Sequence, residues 1–111
     1  MNQLVSDKLV QQAFDWLSEN RQSSAAAKAL RIRAEYKVKQ VRSKLFLDAT
    51  GNNAEREAKA ISSPEYEEAI LEEIQAIEAD EFHRNQRSRC TALIEAWRTQ
   101  QASNRALGKI A

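Results

Sequence analysis

Apolar residues recur along this chain at steps of three and four, the spacing that places them on one face of a helix. The first such run starts with Leu9, Ala13, Phe14, Trp16 and Leu17 and resumes with Ala27, Leu30, Ala34, Val38, Val41 and Leu45. It predicts a helix over about 4–48, with Ser6 placed to cap a slightly later start. Asn20-Arg21-Gln22-Ser23-Ser24 separates the two apolar blocks without a Gly or Pro. One continuous helix is expected, with a break near Ser23 as the alternative.

Thr50-Gly51-Asn52-Asn53 is the clearest stop, because Gly51 can take the left-handed backbone that ends helices. Asn52 and Glu55, three apart, have the form of a capping box and predict a short helix over about 53–61. Ser63-Pro64-Glu65 signals a further start: a cap, a proline in the first helical position, and acids at the positive helix end. Nothing interrupts the pattern until Gly108, so the second long helix is expected over about 64–106. Two long helices of similar length joined by a short capped connector pack antiparallel. The expected fold is an all-α, coiled-coil-like antiparallel hairpin in a single domain over 1–111. Setting Leu45 opposite Tyr66 brings Ala34 to Ile77, Ser24 to Arg87 and Phe14 to Trp97.

Composition supports this reading. The 111 residues include only two Gly and one Pro, too few for the turns of a sheet protein. Much of the 42% hydrophobic content is Ala, which buries little area, so a thin seam or a core completed by a second subunit is expected. The net charge of +1 hides a strong segregation. Lys28, Arg31, Arg33, Lys37, Lys39, Arg42 and Lys44 face Glu65, Glu67, Glu68, Glu72, Glu73, Glu78, Asp80 and Glu81 across the predicted hairpin. Beyond them the second helix turns basic, with Arg84, Arg87, Arg89, Arg98, Arg105 and Lys109 against Glu95.

Candidate chemistry is sparse. The single His83 lies beside Arg84 and Arg87, which compete with a cation, so no metal site is expected. The acidic run reads as a solvated face paired with the basic run, since a thin hairpin offers no cleft to tune a carboxylate. No Gly-rich phosphate loop exists, and no nucleophile and base can be paired from spacing. The expectation is a protein that is not an enzyme and takes no cofactor and no small-molecule substrate. Lone Cys90 points to a reducing compartment; no secretory signal opens the sequence, and no apolar run has the length of a membrane span.

Two surfaces are candidates for binding. Arg84, Arg87, Arg89 and Arg98 with Phe82 and Trp97 combine positive charge and aromatic rings, the chemistry of single-stranded nucleic-acid binding. The competing reading places Trp97 in the apolar seam with Leu93 and Ile94. Phe14, Trp16 and Leu17, with Trp97, exceed what one thin seam covers, and predict an oligomer interface, most simply a homodimer in a four-helix arrangement.

Ala54-Glu55-Arg56-Glu57-Ala58, Ser63-Pro64-Glu65-Tyr66 and Ile94-Glu95-Ala96-Trp97-Arg98 together resemble a pattern in small helical proteins of tailed bacteriophages and prophages. The connector is the specific part of the resemblance. These proteins are often encoded near recombination and replication genes. The resemblance implies a bacterial cytoplasmic setting and a partner in DNA metabolism, either single-stranded DNA or a phage or host protein. It supplies no catalytic residue. A module that inhibits a host factor such as a defence system, or a structural assembly bundle, are the other functions that fit.

Overall fold

The computed structural model describes residues 5–110, with side chains through Gly108. Among them the chain is all-α, with four helices and no strand: α1 (Asp7–Glu19), α2 (Arg21–Asp48), α3 (Asn53–Ile61) and α4 (Pro64–Ile110). These form two compact units. A connector unit spans Ala25–Glu81; a terminal unit joins the residues before Ala25 to those after Glu81. Helices α2 and α4 each contribute to both.

The connector unit is the antiparallel hairpin. Its seam is made of alanines: Ala27 and Ala34 on α2 and Ala69 and Ala76 on α4 are all buried, and α3 adds Ala60 at 1% exposure. Small side chains let helix axes approach closely while burying little area, which is why the core is thin. Arg31 on α2 reaches Asp80 at 3.2 Å and Glu81 at 2.9 Å, and Lys37 reaches Glu72 at 2.8 Å. The Arg31–Asp80 pair has the register expected from Leu45 opposite Tyr66, and the basic run of α2 does meet the acidic run of α4.

The connector is built as its residues dictate. Gly51 has a φ of +112°, a conformation that L side chains rarely adopt. The Asn52 side chain accepts from the Glu55 N–H at 2.9 Å, capping α3, and the Ser63 hydroxyl accepts from the Glu65 N–H at 3.2 Å at the start of α4. Helix α3 is fixed to the end of α2 by Arg56, whose guanidinium lies 4.5 Å from the Phe46 ring centroid and whose Nε donates to the Phe46 carbonyl. Lys59 donates to the Thr50 carbonyl at 2.7 Å, and Arg42 pairs with Glu57.

The terminal unit has larger side chains. Val5, Val10, Ala13, Cys90 and Ile94 form its core, with Leu9, Trp16, Leu17, Leu93 and Trp97 packed around them. Ser6 caps α1 by accepting from the Leu9 N–H.

Three features differ from the sequence expectation. The first helix over 4–48 is broken, three residues before the anticipated Ser23. Asn20 leaves the helical region (φ −105°, ψ 12°), and both its backbone N–H and its side-chain Nδ2 donate to the Trp16 carbonyl. Its own carbonyl accepts from the Ser24 N–H, opening α2. An Asn side chain that satisfies a carbonyl of the previous turn competes with helix continuation. The pairing in the terminal unit is also offset from the expected one. Ser24 Oγ lies 3.0 Å from His83 Nδ1, one turn from the expected Arg87, and Trp97 meets Asp7 and not Phe14. At the other end, α4 runs past 106 to Ile110, because one glycine costs a helix only about 1 kcal/mol.

Candidate functional site

The arginine-rich part of α4 lies in the terminal unit, and its placement follows from helical phase. At 100° per residue, Arg84, Arg87, Arg98 and Arg105 fall within a sector of about 60° on one flank of α4. The span from Arg87 to Arg105 is about 27 Å at 1.5 Å per residue. All four side chains are exposed. Arg84, Arg87, Ser88, Thr91, Ala92 and Glu95 line an open groove of about 460 Å³ along this flank. The two hydroxyls and two guanidinia there are donors of the kind that contact phosphate oxygens. Glu95 sits in the same groove and opposes an anion at its C-terminal side.

The other proposed site residues are distributed differently. Arg89 is exposed but projects from the far flank of α4, close in phase to the exposed Phe82, so it does not join the groove. Trp97 is half-buried against the core, and its indole N–H donates to Asp7 Oδ1 at 3.1 Å. Its ring is therefore partly engaged by packing against the terminal core. Phe82 is the exposed ring, at 55%, but it lies nearly half a turn from the groove. Among the described residues, Arg87, Arg89, Arg98 and Arg105 enter no ion pair. Arg31 and Lys37 of the connector unit are by contrast held charged above their ordinary range, Arg31 first by the Glu81 hydrogen bond and Lys37 by the Glu72 one.

Charge follows the same division. The terminal unit carries eight Lys and Arg against four Asp and Glu; the connector unit carries nine against twelve. The near-neutral chain is thus a basic unit joined to an acidic one.

The residues expected at an oligomer interface lie around the core of the terminal unit. Trp16 and Leu17 pack on the core of the terminal unit, as Trp97 does, and Trp16 also lies 5.8 Å from the His83 ring. Of the four residues only Phe14 is exposed, at 41%. The slipped register supplies the partners that the sequence pairing lacked: Val5, Val10 and Ala13 of α1 and its lead-in meet Cys90 and Ile94.

No group of three or more His, Cys, Asp or Glu among the described residues is placed to hold a metal ion. No helix among them is long and apolar enough to cross a membrane. No protein-family model, curated protein or solved structure matches the chain.

Proposed function

We propose that this is a non-enzymatic nucleic-acid-binding protein that holds single-stranded DNA by its phosphates along the arginine flank of the terminal unit. The observation that carries the reading is the groove of Arg84, Arg87, Ser88 and Thr91, continued by Arg98 and Arg105, on the basic half of a charge-divided chain. Phosphate contacts supply sequence-independent affinity. A flexible single strand can follow a row of guanidinia on one helix flank. Trp97 is engaged with the core and with Asp7, so binding on this surface is chiefly electrostatic and largely indifferent to base identity. The resemblance to phage proteins encoded near recombination genes supports a role in DNA recombination or replication.

A gel-shift titration of a labelled oligonucleotide at low salt tests the proposal. Retardation that disappears as salt rises is expected, with little difference between oligo-dT and mixed sequence. Absence of a shift at low salt rules it out.

A second reading has an observation of its own. The same arginine groove suits an acidic protein surface, such as a recombination protein or a host defence factor. Glu95 in the groove favours a partner that presents a basic residue among its acids. Such a partner would be captured by the wild type and lost with Arg87→Glu, while oligonucleotides would fail to compete for it.

A further inference from the structure

The connector unit has apolar side chains on the outside as well as in its seam. On α2, Ile32 and Tyr36 are 58% and 63% exposed; on α4, Leu71 and Ile74 are 55% and 45% exposed. All four lie on helix faces turned away from the alanine seam. Charged residues bracket both pairs. Lys28, Ile32, Tyr36 and Lys39 follow one another at steps of four, four and three; Glu67, Leu71, Ile74 and Glu78 follow at four, three and four. The bracketing lysines are eleven positions apart, and so are the bracketing glutamates, about 16 Å along a helix in each case. All four charged side chains are exposed.

We infer that the occupant of each stripe is the other stripe of a second copy of this chain. Copies placed side by side in the same orientation bring α2 of one antiparallel to α4 of the next. Lys28 then meets Glu78, Ile32 meets Ile74, Tyr36 meets Leu71, and Lys39 meets Glu67. Apolar contact fills the centre and opposite charges close both ends, the arrangement that sets partner choice and register in paired helices. Matching α2 to α2 opposes lysine to lysine, and matching α4 to α4 opposes glutamate to glutamate, so the pattern selects against both self-matched pairings.

This contact is heterologous. Each copy that binds through α2 leaves its α4 stripe open, and the assembly grows beyond a pair. It involves the connector unit alone and stands whether or not the terminal unit binds DNA.

Sedimentation equilibrium over a concentration series in low salt, without DNA, tests it. Wild type is expected to rise in weight-average mass past two chains. Lys28→Glu/Lys39→Glu and Glu67→Lys/Glu78→Lys should each stay at one chain. An equimolar mixture should recover association, because each exchanged stripe again faces its opposite charge. Far-UV circular dichroism equal to wild type shows that these surface exchanges leave the helices intact. A wild type that stays at one chain, a mass that stops at two, or association indifferent to the exchanges would each overturn the inference. So would a mixture of helical variants that fails to recover.

Discussion

Single residues set the points where this chain stops, turns and buries charge. Gly51 is the sharpest case. A Cβ built there would lie 2.4 Å from Glu55 Oε2, and the φ of +112° is strained for any L side chain. Gly51→Ala is expected to cost about 1–3 kcal/mol, read as a lower urea midpoint with an unchanged slope. Arg31 is the second. It is the partner of Asp80, which is 4% exposed, whereas the Lys37–Glu72 pair is open to solvent on both sides. Arg31→Ala should therefore lower the melting temperature more than Lys37→Ala, since it strands a buried carboxylate. Equal effects of the two substitutions would count against a structural role for Asp80. The Glu72 contact raises Lys37 above its ordinary 10.5. A raised basic group gives its contribution below its unfolded value and loses it as pH climbs through the folded one. The Lys37 side of that ion pair accordingly leaves stability flat near neutral pH and is lost in strong alkali.

Among elements, what the sequence shows well is local. The cap at Asn52, the Ser63-Pro64 start and the α3 helix between them each depend on residues within a few positions, and all stand where their pattern puts them. The Asn20 break lies in a stretch whose polarity is visible, but an Asn that closes one helix and opens the next looks like an Asn on a helix surface. The offset pairing of the terminal unit depends on packing between residues about ninety positions apart, which is why the pairing of Trp97 with Asp7 was not legible. The arginines were legible as a set. Their division into two flanks follows from helical phase alone, whereas which face of α4 packs into the core does not. The seam itself makes a prediction. If alanines set a close approach of α2 and α4, Ala34→Leu and Ala76→Leu should each destabilise the fold by about 1–3 kcal/mol despite adding apolar area. In the terminal unit the core is conventional, and Ile94→Ala should cost about 2–4 kcal/mol. Chemical denaturation of the variants checks both, and stabilisation by either leucine would refute the close-packed seam.

For the whole molecule, the near-zero net charge conceals a division of labour. The terminal unit is basic, with an arginine flank, and the connector unit is acidic, with Arg31, Lys37 and Arg42 of its basic helix held by its own carboxylates. Nucleic-acid binding is proposed for the first and self-association for the second, so the two can be removed separately. Charge exchanges at Lys28 and Lys39 should abolish assembly and leave low-salt DNA retardation in place.

The most direct test of the account is the salt dependence of single-stranded DNA affinity, measured by fluorescence anisotropy in wild type and in Arg87→Ala/Arg98→Ala/Arg105→Ala. Each phosphate contact on a single strand contributes about 0.7 to the slope of log K against log salt. Removing three should weaken binding and flatten the slope by about 2, while Arg89→Ala, on the opposite flank, should leave the slope unchanged. A triple variant with wild-type affinity and slope would contradict the assignment of the arginine flank as the DNA-binding surface.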